Sequence, residues 1–285
     1  MSDLISISQK PITTDKKSSL SHVISELLKN KISRLIVTDE GSPVGIITEK
    51  DIGLFLLDDD SEKNLDEISV SQIMKMLTSA NESMSVEKCV EIMLEKEIGS
   101  LGITSNNDGL IGIITKTDIA QYYAQKYAGK HTVGDVMTIS YISMNSETPL
   151  RNVVSKMIEE KISRIFLNNE NNEPQGIMTF RDLFHIALEQ GNSDSVLDNS
   201  DQAISVIFTR KGFLSDSGFG NTIPAKDVMT NSFESVDFEE DLIVACEEMV
   251  QNRINGVGVR INGKLGGVVS KTDILKAIYI DNDST

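Results

Sequence analysis

The chain has 285 residues, 39% hydrophobic and 25% charged, with no Trp and only 5% aromatic residues, a composition suited to a globular protein with aliphatic cores. Its formal net charge of −16 argues against nucleic acid as a partner, because such binding draws on Lys and Arg displacing counterions. The first residues carry no basic leader and no run of about 18 uncharged apolar residues occurs anywhere, so a cytoplasmic protein away from the membrane is expected.

In chain order, an amphipathic helix is expected over 20–28, a strand over 35–37 and a turn at Asp39-Glu-Gly-Ser-Pro43. Gly45-Ile-Ile-Thr48-Glu-Lys-Asp51 then runs from a strand into a further helix. The same order returns three times. Helices over 86–94, 150–158 and 242–250 precede strands over 101–103, 165–167 and 257–259. The phrases Gly112-Ile-Ile-Thr115-Lys-Thr-Asp118, Gly176-Ile-Met-Thr179-Phe-Arg-Asp182 and Gly267-Val-Val-Ser270-Lys-Thr-Asp273 follow them. Self-similarity of this kind marks a repeated supersecondary unit, here β-α-β-β-α.

The repeats are expected at 1–60, 68–128, 131–190 and 223–285, with an insertion at 191–222. One unit is too small to close its own core, so copies one with two and three with four are expected to pair. Gln72-Ile-Met74, Asp135-Val-Met137 and Asp227-Val-Met229 stand at the handover into copies two, three and four. The insertion is rich in Asn, Ser, Asp and Gly and reads as a linker, within which 204–208 could add a strand. A flap carrying Arg210 and Lys211 toward a ligand is the lesser alternative.

Two accounts of the phrase stand side by side. A hydroxyl followed three residues later by a carboxylate at a helix start is close to a capping box, and that alone explains any single copy. Recurrence in four copies adds a second account. A helix start just after a strand is a ready anion site, and an ionised Asp can accept from both hydroxyls of a ribose diol. Hydroxyl and helix end for phosphate, carboxylate for ribose: the set fits a nucleotide.

Flanking residues divide the copies by parity. Copies one and three carry Lys31-Ile-Ser-Arg34 and Lys161-Ile-Ser-Arg164, with Lys50 or Arg181 just before the Asp. Copies two and four carry Gly99-Ser100 and Asn255-Gly256 there, and Thr117 or Thr272 before the Asp. Arginine suits bidentate phosphate contacts, so the odd copies look equipped for the phosphates of a nucleotide.

Other chemistry is thin. Cys89 and Cys246 each sit in an apolar helical pattern, without a partner at metal-ligand spacing, and are expected to be reduced core residues. His22, His131 and His185 occupy unrelated positions of the repeat. No catalytic residue, catalytic cofactor or metal site is expected, and the chain is expected not to be an enzyme.

The four phrases resemble the signature of the cystathionine β-synthase (CBS) domain family, at the last strand-helix junction of its β-α-β-β-α unit. The resemblance covers nearly the whole chain outside the insertion. It implies an α/β (α+β) fold of four CBS repeats paired into two Bateman modules with pseudo-twofold symmetry, similar to the gamma regulatory subunit of AMP-activated protein kinase. It further implies a non-catalytic sensor that binds AMP, ADP or ATP in clefts between repeats and signals by conformational change. Asp51, Asp118, Asp182 and Asp273 would hold ribose, and Thr48, Thr115, Thr179 and Ser270 phosphate or ribose. Arg34 and Arg164 match the basic phosphate position, from which the even copies depart. Since no effector domain is evident in the sequence, output would pass to a separate partner protein or through self-association as a homodimer. S-adenosylmethionine is the alternative ligand, although it leaves the arginines of the odd copies unexplained, and a purely structural module is the alternative class.

Overall fold

Apolar residues at alternating positions in the strands and at spacings of three and four in the helices draw each copy into the same local structure. The computed structural model describes residues 3–59, 61, 63–107, 109–184 and 219–283. The 204–208 strand, Arg210, Lys211 and His185 lie outside the described residues. Repeat one comprises β1 (Thr13–Asp15), α2 (Leu20–Asn30), β2 (Arg34–Asp39), β3 (Ser42–Thr48) and α3 (Glu49–Asp58), after a short α1 (Asp3–Ile7). Repeat two comprises β4 (Ser79–Asn81), α4 (Val86–Glu95), β5 (Ser100–Thr104), β6 (Leu110–Thr115) and α5 (Lys116–Lys126). After α6 (Val133–Val136) and β7 (Thr138–Ile139) come β8 (Ser143–Asn145), α7 (Leu150–Glu159), β9 (Arg164–Asn168) and β10 (Pro174–Thr179) of repeat three. Repeat four is β11 (Ser235–Asp237), α8 (Leu242–Gln251), β12 (Gly256–Ile261), β13 (Lys264–Ser270) and α9 (Lys271–Asp283).

Each repeat builds a sheet whose first strand is parallel to the second, and whose second and third strands form an antiparallel hairpin. The hairpin turns use the residues that left-handed backbone favours, Glu40-Gly41 (φ 49° and 84°) and Asn262-Gly263 (φ 52° and 76°). The helix between the first two strands ends each time on a left-handed residue that is not glycine: Lys31, Glu97, Lys161 and Arg253, with φ between 52° and 56°. Lys31 and Lys161 therefore share a helix-ending geometry that Glu97 and Arg253 also adopt, and their likeness is one of backbone position.

The chain forms two compact units, each holding two repeats. The pairing of cores differs from the sequence expectation. One core joins repeats one and three, with Leu20, Ile24, Leu27, Ile47 and Ile52 meeting Leu150, Val154, Met178, Phe180 and Phe184. The other joins repeats two and four, with Cys89, Val90, Met93, Ile119 and Tyr123 meeting Leu242, Cys246, Met249, Ile274 and Ile278. All four copies present the same amphipathic pattern, so periodicity cannot choose among partners. Local fit decides: Gly53 of α3 makes room for Phe180, and a Cβ at position 53 would lie 2.3 Å from that ring. Cys89 and Cys246 are free, fully buried thiols, as expected.

What consecutive repeats exchange is the segment leading into each one. The segment before repeat two pairs Lys75 with Ile46 of β3, and the one before repeat one pairs Gln9 with Ile113 of β6. Likewise Thr230, before repeat four, pairs with Ile177 of β10, and β7, before repeat three, adds to β13 of repeat four. No helix among the described residues is long and apolar enough to cross a membrane.

Candidate functional site

The glycine of each phrase exists because a lead-in segment crosses it. A Cβ at Gly45 would stand 2.8 Å from the Lys75 carbonyl oxygen and 2.9 Å from Met74 Sδ. At Gly176 the same atoms are the Thr230 carbonyl oxygen at 2.5 Å and Met229 Sδ at 2.9 Å, and at Gly267 they are Met137 Cε at 2.2 Å and the Thr138 carbonyl oxygen at 2.4 Å. Repeat two is looser, with Ser8 Oγ at 3.1 Å from the position above Gly112. The phrase glycine and the handover methionine, separate features in the sequence, are two sides of one contact.

Downstream of that contact the hydroxyl and carboxylate form the same box four times. The backbone N–H of Thr48, Thr115, Thr179 and Ser270 donates to Oδ2 of Asp51, Asp118, Asp182 and Asp273 at 3.0, 2.7, 2.7 and 2.9 Å. The hydroxyl donates to the same oxygen at 2.5, 2.7, 2.7 and 2.7 Å. In repeats one and two the Asp N–H also donates back to the threonine hydroxyl. The box secures the strand-to-helix turn and places a negative charge on the positive end of the helix.

This geometry by itself is not evidence of a ligand. Thr132 and Asp135 form the same box on the four-residue α6, with Thr132 N–H and Oγ1 at 2.8 and 2.9 Å from Asp135 Oδ2. There the carboxylate is exposed, and the Thr132 N–H holds its pKa below the usual value. What distinguishes the four phrases is burial: Asp51, Asp118 and Asp273 are 5 to 6% exposed and Asp182 is half-buried. Burial raises the pKa of Asp118 against the hydrogen bonds from Thr115 and Gln9 that lower it.

The hairpin register supplies the next layer. Directly across from the phrase hydroxyl stands Arg34 opposite Thr48 and Arg164 opposite Thr179, but Ser100 opposite Thr115 and Gly256 opposite Ser270. The parity difference thus falls at one geometric position beside each box. Arg34 is half-buried, and its guanidinium reaches the Ser33 hydroxyl at 3.2 Å.

The residues between hydroxyl and carboxylate turn toward the other repeat of the same unit. Arg181 donates to Glu49 at 2.7 Å, and Lys50 is exposed on α3. Burial raises the pKa of Glu49, which Arg181 and Arg34 oppose. In the other unit the contact is reciprocal: Lys116 Nζ donates to the Thr272 hydroxyl and Lys271 Nζ to the Thr117 hydroxyl, both at 2.8 Å. This exchange is local pseudo-twofold symmetry made by side chains. Arg181 and Lys50 hold the same place in the sequence, just before the Asp, yet Arg181 is engaged across the unit. The contact with Glu49 has no signal in either copy alone.

The CBS domain profile matches residues 1–57, 70–125, 133–189 and 225–280. The chain belongs to the CBS domain family. Its architecture, four β-α-β-β-α repeats in Bateman pairs, is matched by the crystal structure of MJ1225 from Methanocaldococcus jannaschii, described as a candidate archaeal homologue of γ-AMPK. That match has a TM-score of 0.77 at 22% identity and covers 96% of this chain and 98% of that one. A conserved protein of Pyrococcus horikoshii matches with a TM-score of 0.58 at 17% identity, over 95% and 97% of the two chains. In sequence, MK0525 of Methanopyrus kandleri is 38% identical over 31% of this chain, and MJ1225 is 30% identical over 41%. These sequence alignments span just under half, 45%, of the length of each of the two curated relatives.

Proposed function

We propose that this CBS protein is a non-catalytic regulator that binds an adenine nucleotide, AMP, ADP or ATP, with Asp51, Asp118, Asp182 and Asp273 as its ribose positions. The observation that carries the proposal is the register that sets Arg34 and Arg164 directly across from Thr48 and Thr179. Each odd site then combines a carboxylate whose second oxygen faces away from the cap, a helix start and an arginine for phosphate. Arg34 and Arg164 serve as phosphate contacts, with Lys50 a further cation beside the first site and Arg181 a positioning residue through Glu49. Thr115 and Ser270 offer hydroxyls without the arginine. A cytoplasmic setting, a separate effector protein and a homodimer as the route of output belong to the same proposal.

The mechanism is differential affinity: a nucleotide shifts the balance of two arrangements of the chain only by how much better it binds one of them. S-adenosylmethionine carries a positive charge that Arg34 and Arg164 oppose, so it ranks second.

Isothermal titration with adenosine, AMP, ADP, ATP and S-adenosylmethionine tests the proposal. Arg34→Ala and Arg164→Ala should weaken ATP most and adenosine little. Asp182→Ala should remove binding that Asp135→Ala leaves intact, because Asp135 forms the same cap on an exposed turn. Equal loss from both aspartate variants, or no heat with any ligand, overturns the proposal in favour of a purely structural module.

A further inference from the structure

In every phrase the cap consumes Oδ2 and leaves Oδ1 as the acceptor for anything else. The groups holding Oδ1 differ in charge. At Asp51 it is Lys75 Nζ at 2.6 Å, and at Asp273 it is Lys276 Nζ at 3.1 Å, one turn along α9. At Asp182 it is the Thr230 hydroxyl at 3.2 Å, and at Asp118 the cap is supplemented by the Gln9 side chain. Lys75 and Thr230 occupy the same register position: each follows a lead-in methionine, and each exchanges backbone hydrogen bonds with the phrase strand, at Ile46 and Ile177. One lead-in position therefore carries an ammonium at one odd site and a hydroxyl at the other.

We propose that Lys75 and Lys276 are built-in occupants of the Asp51 and Asp273 sites, so that the chain takes its first nucleotide at Asp182, beside Arg164, and that Lys75 sets the order of filling. This inference rests on the nucleotide reading above and ranks the sites within it. A ribose diol offers neutral O–H donors. To reach Oδ1 of Asp51 it must displace a charge-assisted hydrogen bond, roughly twice as strong as a neutral one. It must also leave a carboxylate that is 5% exposed without its counter-charge. At Asp182 it exchanges one hydroxyl for another.

At Asp118 the supplementary partner is Gln9 rather than a lysine, but Ser100 stands where Arg164 stands in repeat three, and the burial of Asp118 disfavours the charged acceptor that a diol needs. Lys75 and Lys276 are themselves 64% and 58% exposed, so each can swing away without repacking a core. The lysines delay their sites and do not abolish them.

The test is titration of the full chain with AMP and ATP, comparing wild type, Lys75→Thr, Asp182→Ala and the double variant, with Asp182→Asn replacing Asp182→Ala if the latter unfolds. The expected result is a tightest site lost with Asp182, and a second site that tightens about tenfold in Lys75→Thr as the charged contact goes. That second site should persist in the double variant and vanish when Asp51→Ala is added. If Lys75→Thr leaves binding in the Asp182→Ala background unchanged or weaker, while wild type still binds through Asp182, the ordering role falls and the nucleotide reading stands. If neither wild type nor Lys75→Thr binds any nucleotide, both fall.

Discussion

The Cβ of an alanine at position 176 would stand 2.5 Å from the Thr230 carbonyl oxygen and 2.9 Å from Met229 Sδ. The methionine can turn aside, but the carbonyl cannot, because it accepts the Ile177 N–H at 3.0 Å while Thr230 N–H donates to the Ile177 carbonyl, also at 3.0 Å. Ordinary contact requires about 3.5 Å, so the lead-in strand must retreat by roughly 1 Å, which stretches both hydrogen bonds out of range. Each is worth about 1 kcal/mol, and the alanine recovers roughly 0.4 to 1 kcal/mol by stiffening the unfolded chain. The net loss is therefore about 1 to 2 kcal/mol, or roughly 2 to 8 °C in Tm at 2 to 4 °C per kcal/mol. Calorimetry on Gly176→Ala should find that drop, with faster hydrogen exchange at the Ile177 and Thr230 amides. Gly112→Ala is the control, since its nearest neighbour is the Ser8 side chain at 3.1 Å, which can rotate. An unchanged Tm in Gly176→Ala, or an equal drop in Gly112→Ala, would refute the account of the phrase glycine as a strand crossing.

Three further outcomes are expected. Lys31→Gly should stabilise by about 0.5 to 1 kcal/mol, because Lys31 holds a left-handed φ of 53° at the end of α2; denaturant midpoints measure it, and a loss would sink the strain argument. Burial raises the Glu49 pKa above its ordinary value of 4.5, so its contribution to stability is full below about that pH and is lost as pH rises through the raised value. The stability of wild type relative to Glu49→Gln should accordingly fall from acid toward neutral pH in urea titrations, and a rise would reverse the sign. Burial pushes the Cys89 and Cys246 thiols up to about 12, so a thiol reagent at pH 8 should label neither in the native chain and both after unfolding.

Much of the fold was legible because the signals were local and repeated. The helices, the hairpins at Glu40-Gly41 and Asn262-Gly263, and the four strand-to-helix turns follow from spacing and turn residues within about 60 positions. The choice of core partner was not legible, since four copies with one amphipathic pattern are interchangeable until Gly53 meets Phe180. At the boxes, the hydroxyls, carboxylates and the arginines of the odd copies were visible as residue types. Their register was not, because Arg34 and Thr48 become neighbours only through the hairpin. Lys75 and Thr230 carry no signal in the sequence for a related reason: each lies outside the repeat whose carboxylate it touches. The handover methionines were a signal for that exchange, but only the missing Cβ of the phrase glycine explains where they go.

The division of labour within each carboxylate decides what substitution can reveal. Removing the whole side chain of Asp182 deletes the cap through Oδ2 and the contact through Oδ1 together, so a loss of binding could come from a loosened helix start. Asp135 isolates the cap on an exposed turn, and position 75 or 230 isolates the other oxygen, since Lys75 and Thr230 touch Oδ1 alone. Exchanging them, Lys75→Thr and Thr230→Lys in one chain, leaves both caps and both arginines in place and moves only the charge. The preferred site should then pass from Asp182 to Asp51, because the exchange moves the charge-assisted contact from one carboxylate to the other. A preference that stays at Asp182 would mean that Arg164 and the backbone around it, and not the lead-in side chain, rank the sites.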